Sequence, residues 1–138
     1  MKIIEQEEVR KLLQPKDCIQ LMAEALKGLE SGEYAQPARL ITVMPNTAKF
    51  GFMPAYVGDY FGAKVISAFA PNMGTKYPSH IGYVMLFESA HSTVAGMIEA
   101  GSITEIRTGA VSAAATDLLA RKDSHKLALI GAGAQARS

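Results

Sequence analysis

A short apolar segment that runs straight into a glycine-rich turn limits the folds open to this chain. Residues 127–130 are Leu-Ala-Leu-Ile, and residues 131–136 are Gly-Ala-Gly-Ala-Gln-Ala. A strand followed by G-x-G-x-x-A is typical of a dinucleotide-binding unit, where the glycines allow a tight turn and close approach of a pyrophosphate. An ordinary glycine-rich turn is the alternative. A parallel strand pair needs a crossover of about a dozen residues, so we expect the chain to supply only the first strand and phosphate turn of such a unit.

Length and composition describe an ordinary globular chain. The 138 residues predict one domain of usual size. With 14 Lys and Arg against 13 Asp and Glu, the formal charge is +1, which excludes a polybasic nucleic-acid binder. The 49% hydrophobic share excludes disorder, and no apolar run approaches the roughly 18 residues of a membrane span. Because the acidic start also does not fit a signal peptide, we expect a cytoplasmic protein that binds neither nucleic acid nor a membrane.

Two helices are predicted at the start of the chain. The first covers residues 5–14, and the second begins at Pro15, which suits a first helical position, and continues to about Ser31. The second helix carries one apolar face at three- and four-residue steps, formed by Ile19, Met22, Leu26 and Leu29. Gly32 suits a left-handed end to this helix.

The middle of the chain is predicted to be β-structure, and a further helix follows it. The β-rich segments are residues 38–45, 48–57, 60–70, 80–88 and 92–98. The last two flank a tight link and predict a hairpin. Ser102 and Glu105 match a capping box, which predicts a helix from about Ser102 to Ala120. This helix is rich in Ala and Gly, so it can approach another backbone closely.

Three cationic residues have apolar neighbours in the sequence. They are Arg39, Lys64 in the middle of a predicted strand, and Arg107 in the first turn or two of the last helix. A cation at that place opposes the helix dipole, so we expect it to have a partner or a ligand. If the three converge, they would clamp a carboxylate, with arginine bidentate and lysine as a point charge. The alternative is that each of them points into solvent.

Other reactive side chains give weaker signals. His80 and His91 have no partner at metal-ligand spacing, so we expect packing or surface roles and no metal site. Cys18 is the one cysteine, which excludes an internal disulfide and a cysteine-based zinc site. Its place beside the apolar helix face predicts a buried, inert thiol.

The stretch SITEIRTGAVSAAATDLLAR and the LALIGAGAQA that follows it resemble the signature of the ornithine cyclodeaminase and mu-crystallin family. In that family an I-T-x-x-R-T-x-A-x-S helix leads into a G-x-G-x-Q-A turn. Further matches occur in the family's order: Arg39, Met53-Pro54-Ala55, Gly62-Ala63-Lys64, and Asn72, Gly74 and Pro78-Ser79-His80 before the hairpin. The resemblance covers essentially the whole chain.

This resemblance implies an NAD(P)-dependent enzyme, usually a homodimer, with an α+β substrate domain and a Rossmann domain. It implies that Arg39, Lys64 and Arg107 hold the carboxylate of a small amino acid or an imino or 2-oxo acid, and that Lys64 assists proton transfer. The positions it implies for cofactor contacts are Ser79, Arg107, Thr108, Gly131, Gly133, Ala134 and Gln135. The family members include cyclodeaminases, an alanine dehydrogenase-like branch, ketimine reductases and the binding protein mu-crystallin.

The resemblance also implies how the chain is divided. We expect residues 1–124 to form the substrate-binding and dimerisation domain, with N-terminal helices, a mixed and mainly antiparallel sheet of about five to six strands, and a long helix. Residues 125–138 would be the first strand and phosphate turn of a truncated Rossmann domain. The family's catalytic aspartate lies in the missing part, so we expect the chain alone to be inactive. Its function would be that of part of a cyclodeaminase-like enzyme; the alternatives are an alanine dehydrogenase- or ketimine reductase-like oxidoreductase and a non-catalytic binding module.

Overall fold

Three helices and one mixed sheet of seven strands make up the fold. A computed structural model describes residues 1–138. In chain order, the elements are β1 (Lys2–Ile4), α1 (Gln6–Leu12), α2 (Pro15–Ser31), β2 (Tyr34–Ala35), β3 (Leu40–Val43), β4 (Lys49–Val57), β5 (Tyr60–Ala68), a 3-10 turn (Ala70–Asn72), β6 (His80–Glu88), β7 (Val94–Glu99), α3 (Ala100–Leu119) and a second 3-10 turn (Ala134–Ala136). The expected α+β class is confirmed.

The sheet is mainly antiparallel, as predicted. Its strand order is β1-β7-β6-β5-β4-β2, with β3 also paired to β4. Only the β1–β7 pair is parallel. The five predicted strands all form, and β6 and β7 make the predicted hairpin. The two strands that sequence analysis missed, β1 and β2, have three and two residues, which is too short for a period-two pattern to show.

The start of α3 differs from the prediction. The helix begins at Ala100, because the carboxylate of Glu99 accepts hydrogen bonds from the backbone N–H groups of Gly101 and Ser102. Glu99 therefore caps the helix, and the predicted capping box is wrong. Ser102 lies inside the first turn and is buried, and Glu105 pairs with Arg10 instead of reaching back.

The core lies between α2 and α3. Cys18, Ile106 and Ala110 are buried there, and Leu13, Ile19 and Met22 pack against them. The small side chains on α3 let the two helices approach closely, as the sequence predicted. Leu26 and Leu29 lie farther along α2 and are 51% and 37% exposed. The predicted apolar face is thus covered only in its first half. The left-handed end of α2 is confirmed at Gly32, whose φ is 78°.

One face of the sheet carries exposed apolar side chains. Strand alternation and register place Phe50, Phe52, Val65 and Ile81 on this side, opposite to the side of Lys64. Phe50, Phe52 and Ile81 are each more than two-fifths exposed. We call these four residues the open sheet face. Only 12 of the 138 residues are buried, so much of the apolar surface of the domain faces outward.

The segment after α3 is irregular. Residues 127–130 form no strand, and Leu127, Leu129 and Ile130 are largely exposed. The predicted strand is therefore wrong for this structure. A parallel strand takes its hydrogen bonds from neighbouring strands, and none of the seven strands pairs with this segment. The division of the chain at residue 124 stays a prediction. None of the three helices is long and apolar enough to cross a membrane.

Candidate functional site

Lys64 lies at the centre of the sheet, between Met53 of β4 and Val84 of β6. Its side chain is half-buried, and its ammonium group donates a hydrogen bond of 3.2 Å to Thr104 Oγ1 on α3. Burial lowers the pKa of the Lys64 ammonium, because the protein removes water that would solvate the charge. The positive charges of Arg107 and then Arg39 lower it further. The site is therefore electropositive.

The positive charges of Arg107 and Arg39 act on Lys64, whereas the convergence of the three cations on one ligand stays a prediction. Arg107 on α3 and Arg39 just before β3 both act on the charge of Lys64 from their own elements. Burial raises the pKa of the Cys18 thiol on α2, and the positive charge of Arg107 offsets part of that increase. Cys18 is 1% exposed, which confirms the predicted buried thiol.

None of these cations has a carboxylate partner within the protein. The ion pairs of the structure are elsewhere: Lys2–Glu8, Arg10–Glu105, His91–Glu88 and Arg121–Asp123. Like charges that gather without a counter-charge repel one another, and an anion bound among them relieves this repulsion. We call Arg39, Lys64 and Arg107 the cation cluster. Its chemistry fits a carboxylate, which a guanidinium binds in bidentate geometry.

The position of Arg107 differs in one respect from the prediction. Because α3 begins at Ala100, Arg107 lies about two turns into the helix. The helix dipole acts mainly within the first turn, so it does not explain the need for a ligand. The repulsion from Lys64 supplies that reason instead.

A cleft of about 520 Å³ is lined by Thr104, the hydrogen-bond partner of Lys64, and by none of the three cations. Glu5 and Tyr83, from the N-terminal segment and β6, also line it. The Tyr83 hydroxyl donates to Glu5 at 3.3 Å, and the negative charge of Glu5 raises the pKa of that phenol. Because Thr104 both lines the cleft and accepts a hydrogen bond from Lys64, it connects the cleft with that lysine.

Two of the seven residues expected to contact a cofactor line the same cleft. Ala134 and Gln135 line it, and the neighbours of Ser79, Pro78 and His80, do so as well. Gly131 and Gly133 lie on the exposed turn that leads to Gln135. Thr108 follows Arg107 on α3, and its carbonyl accepts a hydrogen bond from the Ser112 side chain.

The glycine turn fits the approach of a pyrophosphate. Gly131 has a φ of 100°, which favours glycine, and a Cβ added at Gly133 would meet nothing within 4 Å. The backbone at this point is therefore open to a phosphate oxygen. The helix that usually follows such a turn is represented here only by the 3-10 turn Ala134–Ala136.

Two hydroxyl groups near the site were missed by the sequence analysis. Thr104 is the partner of Lys64, and Ser102 carries a buried hydroxyl without a hydrogen-bond partner. Thr104 precedes Arg107 by three residues, and residues three apart share a helix face. That spacing was the signal that could have found Thr104. No sequence pattern distinguishes the buried hydroxyl of Ser102 from an ordinary cap.

The profile of the ornithine cyclodeaminase/mu-crystallin family matches residues 1–138. The chain belongs to that family. The resemblance stated from the sequence is thus confirmed. The ketimine reductase mu-crystallin of Mus musculus is 35% identical over 120 residues, which cover 85% of this chain and 38% of that protein. The members of the family are NAD(P)-dependent enzymes, as the resemblance implied.

Solved structures of the family share this fold. An archaeal alanine dehydrogenase, described as a dimer with bound NAD, superposes with a TM-score of 0.92 at 27% identity, over 98% of this chain and 42% of that one. The Delta(1)-pyrroline-2-carboxylate reductase of Thermococcus litoralis, solved with NADH and L-proline, gives 0.91 at 32% identity, over 99% and 43%. This chain spans about two-fifths of the length of these family members.

Proposed function

We propose that this chain forms the substrate-binding part of an NAD(P)-dependent enzyme that transfers hydride at the α-carbon of a small amino or imino acid. The cation cluster carries the proposal, because the charges of Arg107 and Arg39 act on Lys64 and none of the three cations pairs with a carboxylate of the protein. Family membership supplies the reaction class. A relative solved with L-proline supports a substrate in which a carboxylate lies next to the reacting carbon.

The three cations would divide the work of holding the substrate. Arg107 would bind the carboxylate through two parallel hydrogen bonds, and Lys64 would act as a point charge beside it. Arg39 would complete the clamp from the exposed end of β3. A carboxylate fixed in this way holds the α-carbon in one orientation, which lowers the entropic part of the barrier.

A bound nicotinamide cofactor would accept or supply the hydride. Gly131, Gly133, Ala134 and Gln135 would hold its phosphates, with Ser79, Arg107 and Thr108 as further contacts. Ala134 and Gln135 line the cleft, which supports this role.

Lys64 would exchange a proton with the substrate nitrogen. When an amino acid is oxidised to its imine, the α-carbon loses a hydride and the nitrogen loses a proton, which a neutral lysine can accept. The lowered pKa of Lys64 increases the neutral fraction at a given pH. In the reductive direction the ammonium form would return the proton.

Reduction of an imino acid is the outcome that we favour for the whole enzyme. Two of the relatives described above are reductases, at 35% and 32% identity. Cyclodeamination is the second candidate, and the family supports it. There the second amine of the substrate attacks the imine, ammonia leaves, and hydride returns to the ring. We further propose that the chain forms a homodimer through the open sheet face, as apolar strand surfaces of this kind need cover.

Calorimetry with matched ligands tests the carboxylate clamp. The 138-residue chain would be titrated with pyruvate and L-proline, and separately with pyruvamide and L-prolinamide, which lack the carboxylate. We expect the acids to bind at least tenfold more tightly than the amides, since a hydrogen bond to a charged group contributes about 1.5 kcal/mol or more.

Two lysine variants control this experiment. Lys64→Met should weaken binding of both acids. Lys49→Met removes an exposed lysine at the start of β4, fifteen residues from Lys64, and should leave binding unchanged. Equal affinities for acids and amides, or equal losses in both variants, would refute the clamp.

A further inference from the structure

Thr104 makes two hydrogen bonds with its one hydroxyl group. Its O–H donates to the Ala100 carbonyl oxygen at 2.7 Å, one turn earlier on α3. Its oxygen accepts the bond of 3.2 Å from the Lys64 ammonium. A hydroxyl has a single proton, so the bond to Ala100 leaves Thr104 Oγ1 as an acceptor. The helix backbone thus orients this oxygen toward the lysine.

Lys64 needs such an acceptor to stay where it is. A lysine side chain is a flexible stem with a strongly hydrated head. Arg107 and Arg39 repel this head, and burial removes part of its water. No carboxylate pairs with it, and Thr104 is its one hydrogen-bond partner in the structure.

The location of Thr104 connects this hydrogen bond with the cleft. Thr104 lines the cleft that Gln135 and His80 also line. A lysine held against Thr104 therefore keeps its ammonium next to a residue that lines the cleft. If the bond to Thr104 were lost, repulsion by the charge of Arg107 would move the Lys64 ammonium into solvent.

We infer that Thr104 is a positioning residue, whose hydroxyl holds the Lys64 ammonium against α3. The inference deepens the proposed function and rests on it for its meaning in catalysis. The geometric part, that the hydroxyl holds the lysine in place, stands on the two hydrogen bonds alone.

Two substitutions at this position and one matched control test the inference. Thr104→Val keeps the shape of the side chain and removes the acceptor, whereas Thr104→Ser keeps the hydroxyl. Thr116→Val is the control, because the Thr116 hydroxyl donates to the Ser112 carbonyl at 2.8 Å on the same helix and contacts no lysine. The three variants separate the bond to Lys64 from the bond within the helix.

The first measurement needs no ligand. Competitive acetylation of lysine amines across a range of pH, read by mass spectrometry, gives the titration of Lys64 in each variant. In Thr104→Val the released amine should titrate higher, toward the ordinary value for lysine, because it leaves Arg107 and regains water. Thr104→Ser and Thr116→Val should titrate like the parent chain. A Lys64 titration that is unchanged or lower in Thr104→Val, or that serine does not restore, would overturn the inference.

The second measurement links position to binding. Calorimetry with pyruvate should show a dissociation constant about tenfold weaker in Thr104→Val, as expected when one bond to a charged group is displaced. Thr104→Ser should recover the parent affinity. If the parent chain binds no pyruvate, the proposed function fails, while the lysine titration still decides whether Thr104 positions Lys64. If the parent binds and Thr104→Val binds equally well, the role of Thr104 at the site is refuted.

Discussion

Replacement of Arg107 by leucine is the sharpest test of how the cation cluster is built. Arg107 lowers the pKa of Lys64 by repulsion and the pKa of the Cys18 thiol by stabilising its thiolate. Both groups should therefore titrate at higher pH in Arg107→Leu, although one is a base on the sheet and the other a thiol on α2. No structural loosening accounts for both changes, since greater hydration would lower the pKa of Cys18 while it raised that of Lys64.

The same substitution should weaken carboxylate binding by a predictable amount. A hydrogen bond between charged partners contributes about 1.5–3 kcal/mol. Loss of this contribution corresponds to roughly a 10- to 150-fold increase in the dissociation constant. Arg107 is exposed, so water screens the interaction, and we expect a value near the lower end.

Three assays on one set of proteins measure these effects. Competitive acetylation reports Lys64, and carbon NMR of a chain labelled at its single cysteine reports Cys18. Calorimetry with pyruvate reports binding. Arg121→Leu is the control, because Arg121 is exposed and pairs only with Asp123 beyond the end of α3. If Arg107→Leu leaves both titrations and the affinity at the values of Arg121→Leu, the three cations do not form one site.

Three further predictions concern activity, assembly and pH. The chain alone should form no NADH from NAD with ornithine, lysine or alanine, since it spans only about two-fifths of the length of the relatives solved with NAD or NADH. Measurable turnover would contradict this. Light scattering at micromolar concentration should give the mass of a dimer. Phe52→Glu on the open sheet face should reduce this mass to that of a monomer, whereas the control Leu118→Glu at the exposed end of α3 should not. A monomeric parent chain would exclude the proposed interface. Backbone N–H groups of Thr93 and His91 lower the pKa of the Glu88 carboxyl, so its contribution to stability is present above the ordinary glutamate value of about 4.3 and is lost as pH falls below it. Thermal melts from neutral to acid pH should show that Glu88→Gln lessens this loss, whereas an unchanged pH profile would show that the carboxylate does not stabilise the hairpin.

Periodicity and turn chemistry were sufficient to predict most of the fold. The long helix from Pro15 to Ser31 has a regular apolar face, and Gly32 ends it in the conformation that its lack of a side chain allows. The strands of the β6–β7 hairpin are long enough for their pattern to show. The start of α3 was misplaced because Glu99 belongs to a strand and caps a helix at once, and no local motif reports that double role.

The site was predictable in its residue types and less so in its contacts. Lys64 and Arg107 carry charge among apolar neighbours, which marks them in a sequence. The bond from Lys64 to Thr104 joins residues forty positions apart, and only the packing of α3 against the sheet reveals it. Residues 127–130 carry the apolar pattern of a strand but form none, because a strand requires hydrogen bonds from a neighbouring strand.

The direct passage from β7 into α3 couples the geometry of the sheet to the orientation of the helix. Glu99 ends the strand, and Ala100 begins the helix, so no loop residue lies between them to absorb a change. One residue inserted at this elbow would rotate the helix by about 100° relative to the sheet, which would turn Thr104 and Arg107 away from Lys64 together. The strand register of the hairpin therefore determines the direction in which Thr104 and Arg107 point. We expect an insertion that a surface loop would tolerate to disrupt the site when it is made between Glu99 and Ala100.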